Sequence, residues 1–441
     1  MQILQLLLAL SILVAIHEFG HFMFAKLFKT RVEKFYLFFD FLFPFANVAK
    51  FSLFKKKIGD TEYGIGWFPL GGYVQISGMI DEQMDTEVLK TPPQPWEFRS
   101  KPAWQRLLIM LGGILMNVIL GVLLYWMILW IWGKDYIPAN ELKYGVQCDS
   151  VALSIGLKNG DKLLALDNKP IQSIEKIALK ILMEQPKSIQ VERNGKVINI
   201  PIKEEHISQI LSNAKKSMFV LPRTPVEVDS VIPHSYAYAA GFRKGDVVIK
   251  VDSFPVYFFD EYQTAIAKYK GKEKVPFTVL RKKDTIVLYS NISLQGTLGF
   301  IRSVEKYLPI KHEDYTFSQA IVQGTKNAIE NIEMQIKQFE ILFKVKDAHK
   351  QVGGFYSMYK AMPEEWDWRA FWSFTAFLSL VLAFMNFLPI PMLDGGYILF
   401  TLFEMITGIK VPEKVIYYAN QVGLFLLLAL MIWANTDWLR N

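Results

Sequence analysis

The chain has 441 residues, of which 51% are hydrophobic and 21% charged, and it carries a formal net charge of +7 with a mean hydropathy of +0.20. This hydropathy excludes an ordinary soluble protein and also a chain made only of membrane spans, so we expect a membrane protein with a sizeable aqueous part. The single cysteine excludes an intramolecular disulfide, and the lack of a long Lys/Arg run with interleaved aromatic residues argues against a nucleic-acid partner.

The first predicted element is an apolar segment, residues 1–27, which is long enough to cross a bilayer. It contains His17-Glu18-Phe19-Gly20-His21, and such polar groups are costly in lipid unless they have a function. On a helix, His17 and His21 lie on one face and can bind one zinc ion, while Glu18 beside them serves as the base that deprotonates water. Because the segment lacks a basic start and a convincing cleavage site, we interpret it as a retained transmembrane helix.

Residues 28–102 form the second predicted element, a β region with a linker. Residues 48–77 contain strand-like runs, with turn signals at Gly59-Asp60 and at Gly71-Gly72. A membrane helix cannot be cut while its carbonyls are tied up in helical hydrogen bonds, and an exposed strand edge beside the zinc site would pair with an unwound substrate segment. The alternative is a small cytoplasmic sheet that only packs against the spans.

Residues 103–133 are the second predicted span, and the region after it contains an internal repeat. Residues 152–171 align with residues 237–256 at a constant offset of 85 without a gap. The repeat predicts two copies of one small α+β domain, at 134–218 and 219–300. Each copy either binds an extended chain end by strand addition or excludes folded ectodomains as a size filter. The identical positions are Ala152/Ala237, Gly156/Gly241, Gly160/Gly245, Asp161/Asp246, Asp167/Asp252 and Pro170/Pro255.

An amphipathic helical region is predicted at 301–370. Within it, residues 317–345 carry apolar side chains at helical spacing, with Lys and Glu between them. We expect an interfacial helix that packs over the membrane mouth, with a substrate gate as the alternative. Four other histidines show no ligand spacing and are predicted to be surface or packing residues, namely His206, His234, His312 and His349.

The third predicted span, 371–407, is interrupted by Pro389 and Pro391 and by a Gly-Gly pair after Asp394. Because proline removes helix donors, we expect this span to be broken where Asp394 points inward. A catalytic zinc normally has three protein ligands, so Asp394 is the predicted third ligand. Glu404 is a rival ligand, and capping of the following half-helix is the alternative role of Asp394.

Basic residues set the predicted orientation. They are concentrated in 28–102 and again in the short turn before the fourth predicted span, 414–435, so both connections are expected on the cytoplasmic side. Both termini and the repeat region then lie on the outer side of the membrane. Glu18 precedes Lys26 by eight residues, about 12 Å of helix, so the metal is expected within the membrane toward the cytoplasm.

Two motifs, at 17–21 and 386–396, resemble the paired signatures of the site-2 protease family of intramembrane zinc metalloproteases. The order of elements resembles the RseP-type bacterial branch over nearly the whole chain, and the repeat resembles the circularly permuted PDZ domains of bacterial membrane proteases. The resemblance implies one Zn²⁺ per chain on the two histidines and Asp394, with Glu18 as general base. It also implies a membrane-associated β element and substrate contacts at Asn386, Pro389, Pro391, Gly64, Gly66, Gly71 and Gly72.

The predicted fold is a polytopic α-helical membrane protein with four transmembrane helices, a membrane-associated β element and two tandem permuted PDZ-like α+β domains. The predicted function is zinc-dependent cleavage of the transmembrane segment of a single-span protein in a bacterial inner membrane. By resemblance, the substrate is an anti-sigma factor already trimmed by another protease, with remnant signal peptides as a second class. The alternatives are a PDZ-bearing membrane scaffold with a structural zinc site, and a metal carrier.

Overall fold

The structure is a computed structural model that describes residues 1–42, 49–79, 92–213, 218–344 and 353–436. The described residues divide into two compact units. The first comprises 1–133 and everything described from 314 onwards, and the second comprises 134–313. Of the predicted packing residues, His349 lies outside the described residues.

The helices of the described residues follow one another in both units. In chain order they are α1 (Gln2–Leu27), α2 (Ala103–Trp132), α3 (Ser150–Ile155), α4 (Ile177–Glu184), α5 (Glu204–Asn213), α6 (Tyr236–Ala239), α7 (Phe259–Ala267), α8 (Phe317–Lys344), α9 (Phe355–Ala361), α10 (Trp368–Phe387), α11 (Asp394–Thr407) and α12 (Glu413–Ala434). Among the described residues, α1, α2, α10 and α12 are long and apolar enough to cross a membrane, which confirms the four predicted spans.

The third predicted span is broken, as its prolines indicate. Helix α10 ends at Phe387 and α11 begins at Asp394, so the apolar stretch 371–407 is two helices with an irregular segment between them. Pro389 and Pro391 lie in that segment, where their missing N–H groups cost no helical hydrogen bond. The break brings Asp394 to the first turn of a new helix.

Helices α1 and α2 approach each other at two glycines. A Cβ atom on Gly20 would lie 2.2 Å from the carbonyl oxygen of Gly112, and one on Gly112 would lie 2.6 Å from the carbonyl oxygen of Gly20. Small residues allow helix backbones to come this close inside a membrane. The face of α1 that carries the two histidines therefore packs directly on α2.

The β region forms one sheet in the order β2-β3-β1-β4. Its strands are β1 (Val32–Phe39), β2 (Ser52–Ile58), β3 (Thr61–Gly66) and β4 (Phe68–Ile76), with β1 and β3 parallel and the other pairs antiparallel. The predicted turn at Gly59-Asp60 is confirmed, since it joins β2 to β3.

The predicted turn at Gly71-Gly72 is wrong, because both residues lie inside β4. Glycine, which has no side chain, is needed at both positions because residues of β1 lie directly against the backbone of β4. A Cβ atom on Gly71 would lie 2.3 Å from the ring of Phe39, and one on Gly72 would lie 2.7 Å from the carbonyl oxygen of Tyr36. Phe39 and Tyr36 of β1 therefore determine where β4 needs glycine. Strand β1 lies before residues 48–77, the part of the sequence in which strands are predicted.

Helix α8 confirms the helix predicted at 317–345, but its position differs from the expected interfacial one. Its Gly324 packs on Trp126 of α2, whose indole Nε1 donates to Thr325 Oγ1 at 2.9 Å. Further along, Phe339 contacts Phe384 near the end of α10, with ring centroids 5.9 Å apart. Asn117 contacts Ser379 and Gly121 lies beside Ala376, so α2 and α10 run antiparallel, and Trp126 and Phe384 lie on opposite sides of these contacts. Helix α8 therefore runs alongside the two spans.

The second unit contains two sheets of the same design. Its strands are β5 (Lys134–Tyr136), β6 (Val146–Cys148), β7 (Lys162–Leu166), β8 (Lys169–Pro170), β9 (Ser188–Arg193), β10 (Lys196–Pro201), β11 (Val220–Pro222), β12 (Val228–Val231), β13 (Val247–Val251), β14 (Phe254–Pro255), β15 (Val275–Arg281), β16 (Asp284–Ser290), β17 (Phe300–Arg302) and β18 (Lys311–Glu313). The orders β10-β9-β7-β8 and β16-β15-β13-β14 correspond strand by strand, as expected of two copies of one fold. Their boundaries and their identity as PDZ domains stay predictions.

A buried ion pair accounts for the repeated Gly-Asp sequence. In the first copy, Arg193 binds Asp161 at 2.7 Å and also donates to the carbonyl oxygen of Gly156 at 2.8 Å. In the second copy, Arg281 makes the corresponding bonds to Asp246 and Gly241. Because both aspartates are almost fully buried, each arginine compensates a charge that would otherwise be unpaired inside the unit.

The single cysteine reports on the folding of the second unit. Cys148 in β6 is 8% exposed, and burial together with Asp161 raises the pKa of its thiol to about 12. Only the thiolate reacts with maleimides, so we expect labelling to stay slow from pH 7 to about pH 9 and to become fast only on unfolding. Labelling that accelerates with pH as it does for a free thiol, in folded protein, would contradict this burial.

Candidate metal centre

Two distant parts of the first unit bring three metal-binding atoms together. The Nε2 atoms of His17 and His21 on α1 are 3.2 Å apart. The Oδ2 atom of Asp394, the first residue of α11, lies 3.2 Å from one Nε2 and 3.3 Å from the other. Both histidines are more than nine-tenths buried. Among the described residues, these three form the group of His, Cys, Asp and Glu side chains that fits one ion.

The three atoms fit a zinc ion. Zinc bonds of about 2.0–2.1 Å in a tetrahedral site place neighbouring ligand atoms about 3.3–3.4 Å apart, close to the edges of this triangle. Asp394 Oδ2 is buried and has no hydrogen-bond donor among the described residues. When both Nε2 atoms are unprotonated, three lone-pair atoms at this separation repel one another unless a cation lies between them, so the donor set is suited to a metal.

Helix α2 supports both imidazoles from behind. The Nδ1 atom of His21 donates to the carbonyl oxygen of Ile109 at 2.8 Å, which leaves its Nε2 atom free for a metal. Gly113 lies between the rings, since a Cβ atom there would be 2.5 Å from His21 Nε2 and 2.6 Å from His17 Cε1. Asn117 lies beside His17. Sequence reasoning had assigned none of these α2 residues a role.

The irregular segment before α11 is fixed by α12. Met392 has a left-handed backbone with φ of +79°, and its N–H donates to Asn420 Oδ1 at 3.1 Å. A Cβ atom on Gly423 would lie 2.1 Å from the carbonyl oxygen of Pro391, so α12 packs directly against this segment. The fourth span therefore holds the backbone two residues before Asp394.

A comparison with known families identifies the family of this chain. The model of peptidase family M50 matches residues 5–430. The chain belongs to peptidase family M50. This M50 peptidase is a zinc metalloprotease of the site-2 protease type. Its candidate metal centre lies among helices that are long and apolar enough to cross a membrane.

Curated relatives of the M50 peptidase match it over almost its whole length. The Regulator of sigma-E protease RseP of Escherichia coli is 26% identical over 449 residues, which covers 96% of this chain and 95% of that protein. The Protease RseP of Yersinia pestis is 25% identical, with the same coverage. A putative zinc metalloprotease of Vibrio cholerae is also 25% identical, again over 96% of this chain and 95% of that protein.

In the M50 peptidase, Glu18 faces the edge of the β region. The backbone N–H of Val74 in β4 donates to the Glu18 carboxylate. Glu18, Val74 and the metal-binding group line one cavity, together with Ile76, Met79, Met110, Met392, Leu393, Tyr397 and Asn420. Among the described strands β4 is an edge strand, so its outward N–H and C=O groups pair with no other described strand, and Val74 and Ile76 lie at the cavity.

The predicted substrate-contact residues divide into three groups. Asn386 lies at the centre, with its Nδ2 atom 3.3 Å from His17 Nε2. Gly71 and Gly72 belong to the edge strand β4, whereas Gly64 and Gly66 belong to β3, which is paired with β1 on one side and β2 on the other. Strand addition is therefore not available at β3. Contacts of all seven residues with substrate, including Pro389 and Pro391, stay predictions.

The alternative ligands are accounted for elsewhere in the described structure. The Glu404 carboxylate pairs with Arg106 at 2.5 Å. Leu393 occupies the N-cap position of α11 and makes no side-chain cap hydrogen bond, so Asp394 is the first helical residue and not the cap. Of the remaining histidines, His206 is buried beside the backbone N–H of Lys203, His312 pairs with Asp135 at 2.6 Å, and the ring of His234 contacts that of Tyr238.

Proposed function

We propose that this M50 peptidase cleaves a transmembrane segment of a single-span membrane protein, with one zinc ion bound by His17, His21 and Asp394. The single observation that supports this proposal most strongly is the triangle of Nε2, Nε2 and Oδ2 atoms with edges of 3.2–3.3 Å among apolar helices. A bound zinc supplies a Lewis acid that polarises the scissile carbonyl and acidifies water at neutral pH.

Glu18 and Asn386 carry the remaining chemistry. The Glu18 carboxylate, held by the N–H of Val74, accepts a proton from the attacking water and returns it to the leaving amine. The Asn386 amide, 3.3 Å from His17 Nε2, donates to the oxygen of the carbonyl under attack. The two groups therefore act on opposite partners of the reaction, the nucleophile and the electrophile.

The edge strand β4 presents the substrate. A helical substrate has its carbonyls and N–H groups engaged, so the segment to be cut must unwind and needs new hydrogen-bond partners. Backbone groups alternate along a strand, so the outward N–H of Val74 implies outward groups at Gly72 and Ile76 as well. An unwound substrate strand added to β4 runs past Glu18, which places its backbone beside the base.

The substrate class and the orientation follow from the relatives and from charge. The Escherichia coli relative is named Regulator of sigma-E protease RseP, so we propose an anti-sigma factor, trimmed first by another protease, as the substrate, and remnant signal peptides as a second class. The Lys/Arg-rich connections lie on the cytoplasmic side of the inner membrane, with both termini and the second unit in the periplasm.

Protease added to spheroplasts should therefore digest the second unit; full protection of that unit would contradict this orientation.

The two repeats of the second unit select substrates before they reach the membrane. They are PDZ-like domains that either bind an extended chain end or exclude folded ectodomains. A series of substrates with ectodomains of increasing size distinguishes these roles, because a filter responds to size alone and a peptide reader to the sequence of the chain end.

Metal removal tests the proposed function. Full-length protein in proteoliposomes, with a single-span substrate, should lose cleavage by at least about 100-fold with 1,10-phenanthroline and regain it with equimolar Zn²⁺, because the metal is part of the catalytic group. The non-chelating isomer 1,7-phenanthroline is the control and should have no effect. Undiminished cleavage by protein shown to be free of zinc would contradict the proposal.

A further inference from the structure

Asn117 is a buried polar residue next to a predicted metal ligand. It lies on α2, is 0% exposed, and its Nδ2 atom is 3.2 Å from Nδ1 of His17. Its Oδ1 atom is buried and has no hydrogen-bond donor among the described residues. An unpaired amide oxygen inside an apolar helix bundle is costly, so this position calls for an explanation.

The protonation of the histidine supplies that explanation. A neutral histidine that binds a metal through Nε2 carries its proton on Nδ1, and this proton needs an acceptor. The two ends of an asparagine amide are assigned from their hydrogen-bond partners. Turning the Asn117 amide by half a turn brings the unpaired oxygen to the Nδ1 proton of His17, which pairs a donor with an acceptor in place of two nitrogens.

The second histidine has the same arrangement on the same helix. His21 Nδ1 donates to the carbonyl oxygen of Ile109, eight residues before Asn117. Residues 109, 113 and 117 of α2 are spaced by four and lie along one face, with Gly113 leaving room for both rings. One face of α2 therefore provides an acceptor for each Nδ1 and leaves each Nε2 directed toward Asp394.

Asn117 is itself held in place from a third helix. Ser379 of α10 donates its hydroxyl hydrogen to the backbone carbonyl oxygen of Asn117 at 2.7 Å, and both residues are 0% exposed. This contact fixes the depth of Asn117 in the bundle. The side-chain amide then has only its own torsion left to adjust, so it faces His17 in a defined position.

We propose that Asn117 is a positioning residue whose side-chain carbonyl accepts the Nδ1 proton of His17, and so fixes the tautomer and ring orientation of that ligand. The proposal rests on the zinc site of the proposed function. Loss of such an outer partner typically weakens metal binding by about 10–100-fold. Asn117→Leu, which keeps the shape and removes the acceptor, should show this loss, and Asn117→Asp, which keeps an acceptor, should bind zinc at least as tightly as the wild type.

Zinc affinity of the purified full-length protein tests the proposal without reference to activity. Zinc is competed with a chromophoric chelator, and the d–d absorption of the Co²⁺-substituted protein reports ligand geometry. Asn117→Leu should have weaker affinity and an altered Co²⁺ spectrum. Thr375→Val is the matched control, because it removes a fully buried hydroxyl whose hydrogen bond stays within α10, and it should bind Zn²⁺ as the wild type does.

The outcomes separate this proposal from the function on which it rests. Wild-type affinity and spectrum in Asn117→Leu would overturn the role of Asn117 alone. Wild-type zinc binding that survives His17→Ala would instead overturn the metal site. Should Asn117→Leu fail to fold, Asn117→Ala replaces it, since both lack the acceptor and the smaller side chain cannot clash. Equal zinc affinities of Asn117→Ala and Asn117→Asp would then overturn the proposal.

Discussion

Glu18→Gln is expected to abolish cleavage while zinc stays bound. The three donor atoms come from other residues, so the metal site remains, and a glutamine oxygen can still accept the N–H of Val74. What is lost is the ability to take a proton from water, which contributes about 10²–10⁴-fold to such reactions. Single-turnover cleavage of a single-span substrate should therefore fall by about 1,000-fold with zinc content unchanged.

A carboxylate outside the cavity serves as the matched control for this variant. Glu33 accepts a hydrogen bond from Ser77 Oγ at 2.6 Å and does not line the cavity, so Glu33→Gln should cleave as the wild type does. Substantial cleavage by purified Glu18→Gln would refute the assigned base. Equal function of this variant and the wild type in cells would favour the scaffold alternative.

Gly113→Ala is expected to destroy the metal site without unfolding the bundle. The added Cβ atom would lie 2.5 Å from His21 Nε2 and 2.6 Å from His17 Cε1, so both rings must move. Overpacking of this kind costs about 1–3 kcal/mol, which the four-span bundle can absorb by displacing the imidazoles. Zinc binding should weaken by at least about 100-fold and cleavage should be lost with it.

The same substitution two turns along α2 controls for the effect of alanine in this helix. At Gly121 the nearest atoms to an added Cβ are the Cδ2 and Cγ atoms of Leu380, at 2.6 and 2.8 Å, and Leu380 does not line the metal cavity. Gly121→Ala should therefore keep zinc and activity. Retained zinc and full cleavage in Gly113→Ala, with α2 still packed on α1, would show that the rings do not occupy the assigned positions.

Much of the membrane part could be predicted because its signals are local. The spans follow from length and hydropathy, and the spacing of four between His17 and His21 fixes a common helix face. The break before Asp394 follows from prolines that cannot donate helical hydrogen bonds. The model of peptidase family M50 matches residues 5–430 and so covers both motifs, in agreement with the resemblance drawn from them.

The remaining features depend on contacts between distant residues. The glycine pair at 71–72 has the composition of a turn, yet the Phe39 ring and the Tyr36 backbone of β1 require glycine there inside a strand. Strand β1 pairs in parallel with β3, and no local sequence pattern predicts which strand β1 pairs with. The amphipathic pattern of α8 reveals that one face is apolar, but not that α8 packs on α2 through its small and polar residues Gly324, Thr325 and Asn331.

Asn117 shows what sequence reasoning missed and which signal was available. An asparagine in the middle of an apolar span is costly in lipid, as are the histidine and aspartate ligands. Its partner could not be named, because the distance of 3.2 Å to His17 depends on how α1 and α2 pack at Gly20 and Gly112.

The binding of one zinc ion by residues from α1 and α11 can be measured directly by anomalous diffraction at the zinc edge, using crystals of the full-length protein. We predict one anomalous peak, about 2.0–2.2 Å from each of His17 Nε2, His21 Nε2 and an Asp394 carboxylate oxygen. A map of folded, active protein with no peak shared by these three side chains would contradict the proposed metal centre.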